Sequence, residues 1–217
     1  MTTDHVLVFA GGEPSRPPIT AGLPEHAKVI AADSGATHAR AAGRRVDLLV
    51  GDLDSIPPHE LAQLEQQGTE VRRYPPAKDS TDLALALDAA VALRPRRITL
   101  VGGHGGRLDH FLANMLLLAS PEYRAVEIDA LMDPARILVV RGRRTFAGDP
   151  GELVSLLPVG GPATGVGTEG LLFPLRDARL EFGSSLGVSN QMVFEQATVE
   201  VREGVVLVVL PGQQGAL

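Results

Sequence analysis

The sequence contains no cysteine and no tryptophan, and two tyrosines with six phenylalanines bring aromatic residues to only 4% of the chain. Without cysteine, neither a disulfide framework nor a thiolate metal site can form, which fits a reducing compartment. Basic charge is also short: 20 Lys and Arg stand against 26 Asp and Glu, a formal net charge of −6. Generic binding to a nucleic-acid backbone needs a basic surface to displace counterions, so no nucleic-acid partner is expected. No stretch of about 18 uninterrupted apolar residues occurs, and the N-terminal MTTDHVLVFAGG has neither a basic flank nor a long apolar core. A membrane partner is therefore not expected, and the chain reads as cytoplasmic.

Several motifs are missing as well. There is no G-x-x-x-x-G-K-[ST] phosphate loop, the glycines after Val101 do not fit G-x-G-x-x-G, and no metal-binding histidine pair stands out. Lysine is reduced to Lys28 and Lys78, which singles out Lys78 among the acidic residues around it.

What is present is an ordinary globular composition, 44% hydrophobic and 21% charged over 217 residues. The first part repeats a short apolar run, a Gly- or Asp-rich turn and a helix-like stretch, the alternation of a parallel sheet with crossover helices. Strands are expected at 6–10, 29–32, 48–50, 98–101 and 126–131, and helices at 36–42, 58–67, 81–93 and 108–118, the third with Ser80 or Thr81 as N-cap. Beyond about residue 135, Gly and Pro become frequent and short alternating segments take over, at 178–182 and 197–201. A last run at 205–210 reads as the closing strand of a small sandwich or barrel. The fold class expected is α/β with a mostly parallel sheet, followed by a smaller all-β domain. The boundary falls near 134–144, giving domains 1–138 and 139–217.

In an open parallel sheet, ligands bind beyond the carboxyl ends of the strands. The residues there are Ala10–Gly12, Asp33–Gly35, Gly51–Ser55 and the GGHGGRLDH segment from Gly102 to His110, with Lys78–Asp82 at a helix start. Asp52 and Asp54 project to one side if the chain stays extended, and a divalent cation would relieve their repulsion. Hard carboxylate oxygens suit magnesium. The plain alternative is an acidic surface turn. Asp79 and Asp82, three apart, would share the first turn of a helix, where carboxylates also serve only to offset the helix dipole. Asp82, preceding an apolar helix, is favoured as a third ligand. Gly102, Gly103, Gly105 and Gly106 would let backbone N–H groups approach phosphate oxygens, and Arg107 offers bidentate contact. His110 reads as a satisfied helix residue. Acidic groups for a cation, glycines for phosphates and a few basic side chains are the equipment of phosphoryl transfer.

Five segments in order, DSG at Asp33, GDLDS at Gly51, KDSTD at Lys78, GGHGGRLDH at Gly102 and SN at Ser189 and Asn190, resemble the thiamine pyrophosphokinase family. The resemblance implies an α/β catalytic domain, a β-sandwich, a homodimer, and transfer of a pyrophosphoryl group from ATP to thiamine with AMP leaving. It implies Asp52, Asp54 and Asp82 as Mg2+ ligands and Lys78, Arg107 and the glycines as phosphate neighbours. Asp79 and Asp109 join the catalytic set, either of them a candidate base. Asp33, Ser189 and Asn190 fall on the substrate side. Family members that use tryptophan near thiamine have no counterpart here, leaving Phe173, Phe182 or Phe194. Two other readings compete: an aspartyl-phosphate phosphatase with Asp52 as nucleophile, and a nucleotide-sensing module without turnover.

Overall fold

In the computed structural model, residues 4–15, 17, 19–20, 22–132 and 134–212 are described. The chain divides into two compact units, Met1–Leu117 with Ala125–Met132, and Leu118–Arg124 with Asp133–Leu217.

The first unit runs β1 (His5–Ala10), β2 (Lys28–Ala32), α1 (Gly35–Ala41), β3 (Leu48–Gly51), α2 (Pro58–Gln66), β4 (Glu70–Arg73), α3 (Asp82–Ala92), β5 (Arg97–Gly102), α4 (Leu108–Leu118) and β6 (Glu127–Met132). Its six strands are all parallel, in the order β6-β5-β1-β2-β3-β4. The chain walks from β1 to β4 in one direction and returns to β5 on the other side of β1. The direction of winding therefore reverses between β1 and β5, and a crevice opens at their carboxyl ends.

The central strands are apolar without alternation because both faces are covered. Leu7 and Phe9 of β1 pack with Val29, Ala31, Leu49 and the small residues Ala36 and Ala39 of α1. Helix α3 lies on β1, β2 and β3 but stays out of that cluster, covering the opposite face with Leu83, Ala86, Leu87 and Ala90. Thr81 caps α3, its Oγ1 accepting from Ala84 N at 3.2 Å.

The second unit holds a 3-10 turn at Pro121–Tyr123, then β7 (Ala135–Val140), β8 (Arg143–Ala147), β9 (Leu153–Pro158), β10 (Ala163–Glu169), β11 (Ala178–Leu180), β12 (Asn190–Gln191), β13 (Gln196–Glu200) and β14 (Val206–Leu210). These strands run antiparallel in the orders β12-β9-β14-β7 and β11-β10-β13-β8. Alternate residues of both layers, among them Leu138, Val154, Leu156, Val199, Val206 and Val208, meet in one core, as in a sandwich.

The expected fold class holds, and four details differ. β7, which a boundary at 138 would cut, lies wholly in the second unit. The last strand lies inside its sheet, β14 pairing with both β7 and β9, and its five consecutive residues are apolar. β4, with the sequence EVRR, was not expected, because an edge strand exposed to solvent carries no apolar signature. Finally, α3 begins at Asp82 after the Thr81 cap, so Asp79 lies outside the helix and shares no helical face with Asp82.

Candidate active site

Three β-to-α junctions of the first unit bring carboxylates together. Asp33 follows β2, Asp52 follows β3 and Asp82 opens α3, and one oxygen of each lies within 4.8 Å of the others. Gly51 makes this approach possible. Its φ is 151°, and a Cβ there would stand 3.2 Å from both Asp33 Cβ and Asp82 Oδ1. Asp33 itself adopts φ 47°, a left-handed conformation that aspartate tolerates better than most residues.

Asp54 is not part of this group. Leu53 takes φ 65°, so the chain turns between Asp52 and Asp54 instead of staying extended, and Asp54 stands outside the group while lining the same cleft. Asp54 is exposed and reaches the cluster through its backbone, its N–H donating to Asp52 Oδ1 at 3.3 Å.

Lys78 stands between two of the carboxylates. Its Nζ is 3.0 Å from Asp82 Oδ1 and 3.5 Å from Asp52 Oδ2, and its side chain is only 12% exposed. The ammonium is thus the partner of Asp82 Oδ1, whereas Asp33 Oδ1 is buried without a hydrogen-bond donor. Ser55 Oγ donates to Asp33 Oδ2.

The charges respond to this crowding. Burial pushes the Asp33 carboxyl up, the Asp82, Asp52 and Asp54 charges add to the rise, and the Ser55 hydroxyl opposes it. Asp52 is held down by the Asp54 N–H and by Lys78. Burial disfavours the Lys78 ammonium, but Asp82 and Asp52 more than offset this and raise it.

The second element of the site is the glycine loop after β5. Gly102, Gly103, Gly105 and Gly106 all have φ between 62° and 83°. The loop is zipped to the residues after β1: Gly103 N donates to Gly11 O at 2.9 Å and Glu13 N to His104 O at 2.9 Å. Gly12 permits the contact, since a Cβ there would fall 2.3 Å from His104 O. His38 Nδ1 sits 3.0 Å from Ala10 O, and Asn114 Nδ2 donates to Gly103 O at 3.2 Å. One N–H expected to face phosphate, that of Gly103, is thus already spent within the fold.

Arg107 forms a two-pronged pair with Asp109, Nε to Oδ1 at 3.2 Å and Nη2 to Oδ2 at 2.5 Å, both side chains exposed. Arg107 holds the Asp109 carboxyl down to about 2. An open cleft of about 690 Å³ is lined by Asp33, Asp52, Asp54, Lys78, Asp82 and Arg107, together with the glycine loop. Asp79 is exposed and does not line it.

Ser189 and Asn190 lie in the second unit. Ser189 is exposed with φ 59°, and its N–H donates to Ser155 Oγ at 3.1 Å. Asn190 is buried, both ends of its amide engaged with backbone.

Sequence reasoning placed Asp33 apart from the metal ligands and gave no role to Ser55, His38 or Asn114. Ser55 sits in the same acidic turn as Asp52, and Asn114 is the one amide in an apolar helix, so both carried a weak signal. His38 carried none.

Comparison with known proteins bears on this geometry. Residues 22–130 match the family described as Thiamin pyrophosphokinase, catalytic domain, and residues 143–206 match Thiamin pyrophosphokinase, vitamin B1 binding domain. The chain is 29% identical over 215 residues to the thiamine pyrophosphokinase of Bacillus subtilis, covering 94% of this chain and 97% of that one. It is 30% identical over 219 residues to thiamine pyrophosphokinase 1 of Arabidopsis thaliana, covering 86% and 79%. The crystal structure of the Bacillus subtilis protein superposes with a TM-score of 0.85 over 97% of this chain and all of that one, at 28% identity. The Geobacillus thermodenitrificans structure gives 0.79 over 98% and 100%, also at 28%.

Proposed function

The chain belongs to the thiamin pyrophosphokinase family, and from that premise we propose how its side chains divide the work. The reaction moves the β- and γ-phosphates of ATP together onto the hydroxyl of thiamine, giving thiamine diphosphate and AMP. The hydroxyl oxygen attacks the β-phosphorus, the bond from that phosphorus to the oxygen bridging the α-phosphate breaks, and AMP departs with the electron pair. The hydroxyl proton passes to a phosphate oxygen or to water.

Asp33, Asp52 and Asp82 are the residues we assign to Mg2+. The donor set fits: three hard carboxylates converge, the chain has no cysteine to offer a soft thiolate, and the buried Asp33 Oδ1 has no donor. Magnesium, when bound, neutralises phosphate charge. Asp54 is reassigned from ligand to support, since its N–H fixes Asp52. Lys78 supplies a fixed cation at the cleft wall for phosphate oxygens, and Arg107 a guanidinium whose orientation Asp109 sets. Gly102, Gly103, Gly105 and Gly106 keep the loop low enough for a triphosphate to approach. Because most of the catalysis in such a reaction is positioning and charge neutralisation, no protein base is required, and neither Asp79 nor Asp109 is given that step.

Thiamine is assigned to the second matched segment. Phe173, Phe182 and Phe194 are exposed there, and an aromatic face attracts a cationic ring. The exposed Leu172, Leu186 and Val188 add to an apolar surface that supports the homodimer reading, checked by light scattering after gel filtration. No helix among the described residues is long and apolar enough to cross a membrane. The need for ATP supports a cytoplasmic location.

The observation that carries the proposal is the meeting of three carboxylates from three separate junctions beside Lys78. The test is a product assay with purified protein, ATP, Mg2+ and thiamine, with Asp52→Asn as control. AMP and thiamine diphosphate, lost in the control, establish the assignment. Free phosphate without a nucleotide product returns the site to the hydrolase reading.

A further inference from the structure

We propose that His38 is a positioning residue for the loop that receives the ATP phosphates, acting through the carbonyl of Ala10. The inference rests on the assignment of the glycine loop to phosphate above and extends it to a side chain that does not line the cleft.

The sequence of α1, GATHARA, lets this helix lie close against β1. A Cβ on Gly35 would stand 2.1 Å from Phe9 O, so only glycine fits where the helix starts. His38, three residues on, shares that face of the helix and is carried to the end of β1, where its Nδ1 lies 3.0 Å from Ala10 O. A carbonyl oxygen accepts and does not donate, so Nδ1 carries the hydrogen. Burial pushes the His38 imidazolium down, the bond to Ala10 opposes this, and His104 adds to the fall. At neutral pH the ring therefore holds a single hydrogen, and the Ala10 carbonyl decides which nitrogen keeps it.

The bond falls where the sheet stops supplying partners. The last register pair of β1 with β2 is Phe9 with Ala31, and its last with β5 is Ala10 with Gly102. Beyond these pairs the backbone lines the cleft, Ala10, Gly11 and Gly12 together with Gly103, Gly105 and Gly106. Gly102 lines instead a separate small cavity of about 30 Å³ that it shares with His38, Phe9 and Val101. A Cβ on Gly102 would stand 2.8 Å from Ala10 O and 3.3 Å from His38 Nδ1, so the first glycine of the loop makes room for this contact. Fixing Ala10 fixes Gly11, whose carbonyl accepts from Gly103 N at 2.9 Å, and two residues further on Glu13 N donates to His104 O at 2.9 Å. The imidazole thereby holds the loop through a run of backbone bonds. Donors fixed before the substrate arrives need no reorganisation when charge develops on it.

The test is a set of three variants of the full chain, His38→Asn, His38→Gln and His38→Leu, read as kcat/KM for ATP and KM for thiamine. Asparagine sets an amide donor near the place of Nδ1, glutamine sets it nearer Nε2, and leucine removes the donor while keeping the bulk. His38→Leu is expected to lower kcat/KM for ATP about five- to tenfold, the scale of one lost hydrogen bond, with the thiamine KM unchanged. His38→Asn should restore most of the loss and His38→Gln should not. An unchanged kcat/KM for ATP in His38→Leu, a glutamine variant as active as the asparagine one, or a thiamine KM that rises as far as the ATP term falls overturns the proposal. If His38→Leu does not fold, the comparison of asparagine with glutamine decides without it.

Nitrogen NMR of the imidazole in the wild-type protein reads the bond directly. With the ring neutral, the hydrogen is expected on Nδ1 and its exchange with water to be slow; a hydrogen on Nε2 overturns the proposal. Failure of the phosphate assignment itself shows separately, as the absence of thiamine-dependent AMP formation in wild type.

Discussion

The acidic cleft of the first unit and the Ser189–Asn190 turn of the second attracted notice in the sequence for the same reason, polar residues where the chain turns. Their side chains are in opposite conditions. Asp33 Oδ1 is buried with no hydrogen-bond donor, and burial, together with the like charges around it, raises the Asp33 carboxyl. Every acceptor position of the Asn190 oxygen is filled by backbone. Unspent polar capacity in a buried place costs stability and persists where a ligand repays it; spent capacity is structure. The contrast separates an oxygen open to a ligand from one held by backbone more sharply than residue type does.

Substitution at the two places should break function at one and the fold at the other. Asp52→Asn is expected to lower kcat about 10²–10³-fold, the scale of removing one group that offsets transition-state charge, with little loss of melting temperature. A loss below about tenfold would mean that the cluster is not where charge develops. Asn190→Ala leaves the Phe173 and Gln191 backbone groups without a partner and should cost about 1–3 kcal/mol in urea unfolding. An unchanged urea midpoint would mean that these bonds add nothing to stability.

Magnesium sharpens the same contrast. At a concentration tenfold above its dissociation constant it should stabilise the protein by about 1.4 kcal/mol, seen as a rise in melting temperature. Asp52→Asn should abolish that rise and Asn190→Ala should not. The smallest effect is at Arg107. Its guanidinium depresses the folded-state Asp109 carboxyl to about 2, so the pair is intact at and above the ordinary carboxylate range and is lost only as pH falls toward that value. An NMR titration of Asp109 should show this midpoint and return to the ordinary range in Arg107→Ala, without a change in melting temperature, since both groups are exposed.

Much of this was legible before any coordinates. The parallel strands announce themselves because both their faces are buried, and α3 because Thr81 precedes an apolar helix. Asp52 and Asp82 were found from their places at a strand end and a helix start. Asp33 was read as substrate-facing because sequence distance hides what Gly51 permits, a close approach of β2 and α3 across β3. Asp54 stands outside the tight group of Asp33, Asp52 and Asp82, though it lines the same cleft, and the left-handed Leu53 before it belongs to a residue type that gives no warning of the turn. Asn190 was legible as a candidate, but its partners were not, since they are main-chain atoms and main-chain atoms leave no pattern in sequence.

β4 was missed because its four residues are polar, and that polarity has a use of its own. At the border of the parallel sheet, Glu70, Arg72 and Arg73 present charge where unpaired backbone groups would otherwise recruit a further strand. The feature that conceals the strand from a reader of the sequence conceals it equally from other copies of the chain, and keeps a crowded solution of this enzyme from adding to its own sheet.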